Sequence, residues 1–144
     1  MSMIPLTERL SASPAVARSQ AFELKPPTFA IVGKTADGVE VRVVPALKYT
    51  NPNGRDFVKF DAVDVDNPTV LIDRKLNVAL KRNGTPMTDQ GDAFRRQGKA
   101  LKEPGNEAYT VRYEVPNEEV AEKLRELAGL YLPEGRFEVK VLEP

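Results

Sequence analysis

FDAVDVDNPTVLIDRKLNVA, residues 60–79, decides how this chain is read. Two runs rich in β-branched residues flank DVDNP, and Asn67-Pro68 inside that segment favours a turn. The stretch is therefore two strands joined by a turn, yet four aspartates and an Asp73-Arg74-Lys75 triplet interrupt its apolar pattern. Side chains alternate along a strand, so Leu71, Asp73, Lys75 and Asn77 share one face while Ile72, Arg74, Leu76 and Val78 share the other. Asp73 and Lys75 then lie about 6–7 Å apart along the strand, within reach of one bound metal, water or phosphate. On the preceding strand Lys59, Asp61 and Val63 share a face, and pairing across the turn lets Asp61 lie beside Asp73. Asp64 and Asp66 belong to the turn.

Working outward, residues 6–24 carry a helical spacing of Val16, Gln20 and Glu23 or Leu24, closed by Pro26-Pro27. FAIVGKT and VEVRVVPAL around Asp37-Gly38 predict a β-hairpin. Beyond the turn stretch, TDQGDAFRRQGKAL (88–101) predicts a helix with Ala93, Phe94, Ala100 and Leu101 on one face and Thr88 as its cap. YTVRYEVP reads as a strand. NEEVAEKLRELAGLY is the strongest helix, with Asn117 as cap, Glu118 and Glu119 at the positive end of its dipole, and a Val120, Leu124, Leu127, Ala128 stripe. RFEVKVLEP closes as a strand. The predicted order is α-β-β-β-β-α-β-α-β, an α/β or α+β domain whose mixed sheet is flanked by helices.

The 144 residues suit one domain. No apolar run approaches membrane-spanning length, and the N-terminal stretch shows no signal-peptide pattern. Signal-independent secretion stays open. Lacking cysteine and histidine, the chain has no route to thiolate zinc sites, disulfides or imidazole bases. Its catalysis would rest on carboxylates, Lys, Tyr, Ser, Thr, or a metal held by oxygen. The 21 basic and 21 acidic residues cancel, but they are not evenly spread. Residues 74–102 hold 8 basic and 2 acidic residues, and residues 103–144 hold 5 and 10. Taken alone, such blocks are equally the solvated faces of a strand and helices.

Neighbouring carboxylates at Asp61 and Asp73 would repel each other, a cost that a divalent cation relieves. Hard oxygen donors suit Mg²⁺, which takes one or two carboxylates and keeps its waters. A lysine beside it can orient an attacking water and stabilise charge on a phosphoryl oxygen. Gln97 falls between Phe94 and Leu101 on the apolar helix face, away from Arg95, Arg96 and Lys99, so it must find a partner indoors. The alternative is structural: a same-face ion pair at Asp73 and Lys75, with a backbone carbonyl satisfying Gln97.

This arrangement of Asp61, then Asp73-x-Lys75, then a helix with inward Gln97 resembles the PD-(D/E)xK superfamily with its restriction-endonuclease-like core. Phe60 stands where that family writes proline. More narrowly, KFDAVD, VLIDRKLNV, AFRRQGKAL, YEVPNEEVAEKLRELA and FEVKVLEP are similar to the restriction-endonuclease-fold toxin domains at the C-termini of bacterial polymorphic toxins. Ala62 replaces a glycine and Tyr113 a tryptophan of that pattern. The likeness covers residues 57–144 of one domain spanning 1–144, with 1–56 as a leading helix and hairpin.

The resemblance implies a Mg²⁺- or Mn²⁺-dependent endonuclease, a DNase more than an RNase, used as a toxin or effector in interbacterial competition and blocked by an immunity protein. It would act in the target-cell cytoplasm after signal-independent export, with no membrane partner. Asp61 and Asp73 would hold the metal with the Arg74 carbonyl, Lys75 would orient the water, and Gln97 would support the site. Glu23, or Glu8 behind it, would supply an acid from the first helix. Lys81, Arg82, Arg95, Arg96 and Lys99 would track the phosphate backbone. Two other readings are an inactive nuclease-fold protein that binds nucleic acid or a protein partner, and an accessory phage-type protein. Neutral net charge suits those; the Asp61, Asp73, Lys75, Gln97 set suits the enzyme.

Overall fold

The computed structural model describes residues 3–9, 31–34, 40–52, 54, 56–64, 66–75 and 88–142. They form strands β1 (Met3–Arg9), β2 (Ile31–Lys34), β3 (Glu40–Lys48), β4 (Phe57–Lys59), β5 (Ala62–Val63) and β6 (Val70–Arg74), helix α1 (Thr88–Lys102), β7 (Thr110–Val115), helix α2 (Glu118–Tyr131) and β8 (Phe137–Val141). The result is a mixed α/β architecture with two sheets. In the first, β3 pairs antiparallel with β1 along one edge and with β2 and β4 along the other. The second runs β5-β6-β7-β8, with β5 antiparallel and the rest parallel. Parallel neighbours need a crossover of a dozen or more residues, and α1 and α2 serve as those crossovers.

The segment 57–63, expected as one strand, is split between the sheets. Lys59 pairs with Ala46, and Phe60 N–H donates to Pro45 O at 2.9 Å. Ala62 then pairs with Ile72. The chain changes sheets at Phe60-Asp61, because β3 and β6 each offer an edge and one strand can serve both only by bending. Expected pairing across the DVDNP turn therefore holds for Ala62 and Val63, while residues 57–59 belong to β3. In the turn, Asp64 Oδ1 accepts from the N–H groups of Asp66 and Asn67 at 2.8 and 3.1 Å. Such an Asx turn is the structural role expected of this residue type.

The leading helix expected over 6–24 is corrected at its start: Leu6–Arg9 lie in β1, each opposite a residue of β3. Weak helical periodicity loses to the seven-residue ladder that β3 offers along its edge. Residues 10–24 are outside the described residues. The hairpin of β2 and β3 is present, with Lys34 opposite Glu40. The strand expected over 69–80 is described as far as Arg74, and residues 76–80 are outside the described set.

The core fills the space between the helices and one face of the second sheet. Leu71, Val111, Tyr113 and Val115 meet Phe94, Leu101, Leu124 and Leu127, all buried. Each such side chain contributes about 1.5–3 kcal/mol by leaving water. Asn117 caps α2 by accepting from Val120 N–H at 3.0 Å. The helices cross closely at Gly98, where a Cβ would stand 2.2 Å from the Tyr131 carbonyl oxygen. Phe94 stacks on Tyr131 at 6.0 Å beside this crossing. Gly98 thus sets the height of α1 over the sheet, and with it the position of Gln97.

Candidate active-site cleft

Strand β6 is buried on both faces, since Leu71, Ile72, Asp73 and Arg74 are all shielded from solvent. Charges in such a strand require partners. On one face Arg74 Nε donates to Glu114 Oε1 at 2.8 Å, and Glu114 Oε2 accepts from Arg112 Nε at 3.1 Å. Arg112 also donates to Asp64 Oδ2 at 2.5 Å. Arg74, Glu114, Arg112 and Asp64 thus alternate in charge along one connected network. The Arg112 guanidinium, followed by the Asp66 N–H, holds the Asp64 carboxyl below its usual range. Arg74 is structural, on the face that strand alternation assigned to it.

The other face carries Asp73. Its Oδ2 accepts from Gln97 Nε2 at 2.8 Å and lies 3.5 Å from Lys75 Nζ. Lys75 Nζ also sits 5.8 Å from the Phe94 ring centroid. Behind Gln97, the Tyr113 hydroxyl donates to Gln97 Oε1. Tyr113 is fully buried, and desolvation, with a smaller push from the Asp73 charge, raises its pKa well above the ordinary tyrosine value. It therefore keeps its proton and donates. A carboxylate only accepts, so the Gln97 amide has one self-consistent orientation. The chain Tyr113–Gln97–Asp73 fixes the carboxylate beneath the cleft.

The cleft, of about 330 Å³, is lined by Phe57 and Lys59 from β4, by Asp73 and Lys75, and by Arg96 and Gln97 from α1. Among the described residues lining it, three are cations and one is a carboxylate. Arg96 Nε donates to the Tyr49 hydroxyl at 3.0 Å, and its terminal nitrogen donates to the Phe57 carbonyl. The guanidinium is thus anchored to the first sheet while the rest of its helix packs on the second. An anion with a planar or tetrahedral oxygen set is the ligand such a cleft suits.

Asp61 sits differently from its expected place. Asp64 N–H donates to Val70 O, and Asp61 N–H, one residue out of step with the Ala62–Ile72 pair, donates to Ile72 O at 2.9 Å, so the strand bulges at Asp61. Phe60 N–H turns to Pro45 O, and the paired ladder ends at the bulge, short of the Arg74 N–H. Asp61 Oδ2 accepts it instead, at 2.8 Å. Asp61 does not line the cleft. Its carboxylate stabilises the point where the strand changes sheets.

Of the other expected residues, Glu23, Lys81 and Arg82 are outside the described residues. Glu8, expected on a helix, stands in β1 opposite Arg42. Arg95 is exposed, pairs with Asp92 at 2.6 Å and lies over the Tyr131 ring at 6.0 Å. Lys99 is exposed on the same helix, whereas Arg96 turns inward. Lys59 and Tyr113 were not singled out from sequence. Lys59 shares strand alternation with Asp61, a signal that was present. Tyr113 is opposite Asp73 in the β6–β7 register, and a parallel register across a helical crossover leaves no local trace.

Among the described residues no group of three His, Cys, Asp or Glu side chains is gathered tightly enough to hold a metal. Mg²⁺ requires fewer protein ligands, taking one or two carboxylates and keeping its waters. The donor set of carboxylate oxygen without imidazole or thiolate suits that class of ion, with Asp73 as the carboxylate the cleft offers and Asp61 on the N–H of the next residue, Arg74. Among the described residues no helix is long and apolar enough to cross a membrane. Compared with known protein families, with curated proteins and with solved structures, the chain matches none.

Proposed function

We propose that the protein is a metal-dependent nuclease of the PD-(D/E)xK type, hydrolysing phosphodiester bonds in DNA. One observation carries the reading: Asp73 and Lys75, two residues apart on one strand face and 3.5 Å apart at their charged ends, line a cleft whose other charged groups, Lys59 and Arg96, are cationic. The order β5-β6-α1-β7, with an antiparallel pair followed by a parallel crossover, supports a restriction-endonuclease-like core. Mg²⁺ or Mn²⁺ held by Asp73, with Asp61 as second acid, would supply a water of lowered pKa and charge neutralisation at the phosphoryl group. Lys75 orients the nucleophilic water, Arg96 and Lys59 hold phosphate oxygens, and Gln97 keeps Asp73 from turning away. The likeness to polymorphic-toxin domains extends the proposal to an effector used between bacteria and neutralised in the producer by an immunity protein.

A specific observation favours a second reading, an inactive nuclease-fold binder. Both contacts of Asp73 fall on Oδ2, and the Asp61 carboxylate is engaged on a backbone N–H. Plasmid DNA incubated with the protein and Mg²⁺ separates the two. Cleavage is expected with metal, is abolished by EDTA, and falls by about 10²–10⁴ in Asp73→Ala and Lys75→Ala. Intact plasmid with every metal, alongside salt-sensitive DNA binding, would establish the binder. Cytoplasmic expression should be toxic and relieved by Asp73→Ala.

A further inference from the structure

The outer edge of β8 has a definite hydrogen-bonding phase. Val111 N–H donates to Arg136 O at 3.0 Å, and Leu142 N–H donates to Val115 O at 2.6 Å. In a parallel pair these bonds recur every second residue, so the peptide groups of Arg136, Glu138, Lys140 and Leu142 face β7. Those of Phe137, Val139 and Val141 face away. Among the described residues no strand pairs with that edge.

We infer that β8 pairs with β8 of a second copy of this chain, antiparallel about a two-fold axis at Val139, to join the two β5-β6-β7-β8 sheets into one. In this register Val139 pairs with its own copy and Phe137 with the second copy's Val141, so all three outward residues exchange both their bonds. The intervening non-hydrogen-bonded positions, where side chains come closest, set Glu138 against the second copy's Lys140, twice. Glu138 is 62% exposed and Lys140 is exposed, so both can reach a partner. Glu138 stands 3.8 Å from Arg112 NH1, a loose contact that leaves its carboxylate able to accept from both. An axis at Glu138 or at Lys140 keeps the outward peptide groups in phase but sets like charges opposite each other across the two-fold axis. Of these three registers the one centred on Val139 opposes unlike charges, and a two-fold interface demands this kind of self-complementarity.

Sedimentation velocity over a concentration series tests the pairing. The chain is expected to show a concentration-dependent monomer–dimer equilibrium. Val139→Pro removes an outward N–H and no ladder bond, and an edge strand tolerates it. It should be monomeric with an unchanged circular dichroism spectrum. Glu138→Lys and Lys140→Glu each turn two attractive pairs into repulsive ones and should weaken the dimer about tenfold. Mixed together, they restore complementarity and should associate as tightly as wild type. That mixing result stands even if Val139→Pro fails to fold. Wild type that stays monomeric throughout, a dimer indifferent to Val139→Pro, or a mixture no tighter than its components would overturn the proposal.

Discussion

Replacing Tyr113 by Phe removes one oxygen from the chain Tyr113–Gln97–Asp73 and should cost stability in a manner that depends on pH. At neutral pH the buried Gln97 Oε1 loses its donor. Leaving a buried acceptor unsatisfied costs about 1–3 kcal/mol, whereas a solvated hydrogen bond would be worth less than half of that. The sign of the pH term is opposite. The folded-state pKa of Tyr113 is raised well above the ordinary value, while in the unfolded chain it titrates near 10. Its stabilising contribution is fully present below about pH 10 and is lost as pH rises toward the folded value, by up to about 1.4 kcal/mol per pH unit. Tyr113→Phe carries no such loss. The other tyrosines are common to both proteins and cancel. Urea denaturation of both proteins at neutral pH and at steps above pH 10 should therefore show a gap that closes as pH rises, with Tyr113→Phe the less stable at pH 7. A variant as stable as wild type at pH 7, or a gap that is constant or widens above pH 10, would refute the hydrogen-bonded chain as described.

Gly98→Ala pits helix propensity against packing: alanine gains about 1 kcal/mol in a helix, but its Cβ meets the Tyr131 carbonyl oxygen at 2.2 Å, about 1 Å inside an ordinary C···O contact. Backbone cannot swing aside, and overpacking of about 1–3 kcal/mol or more should win, lowering the midpoint of thermal unfolding by a few degrees; a rise would mean that the helices part freely. Glu114→Gln removes the buried carboxylate charge that Arg74 Nε and Arg112 Nε share, and should cost about 3–5 kcal/mol in chemical denaturation.

Alternation along 70–75 was enough to separate Asp73 and Lys75 from Arg74, because a period of two survives whatever the strand pairs with. Helix periodicity likewise put Gln97 indoors, where it is 2% exposed, and the apolar stripe of α2 is buried as its spacing requires. Competition between distant edges was not legible. Residues 57–63 alternate like one strand, and nothing local states that β3 takes the first half and β6 the second. The same blindness applies to Leu6–Arg9, whose strand is written in the free edge of β3 and not in their own spacing. Lys59 entered the cleft, and Asp61 left it for the Arg74 N–H, through that one bend.

The bend also explains how a chain with no net charge can carry a cationic cleft. Asp64 and Glu114 are spent on Arg112 and Arg74 across the opposite face of the second sheet, so these two acids are not available to the cleft side. Among the described residues Asp73 is the carboxylate lining the cleft, and Lys59 lines it too because β4 belongs to the first sheet and delivers its side chain across the seam. Arg96, tied to Tyr49 and to the Phe57 carbonyl, holds that seam closed from the helix side. A field of this kind is set by where opposite charges are paired, not by their totals. The sequence total of 21 and 21 is thus compatible with a cleft lined by Lys59, Lys75 and Arg96, because Asp64 and Glu114 pair on the other face of the same strand.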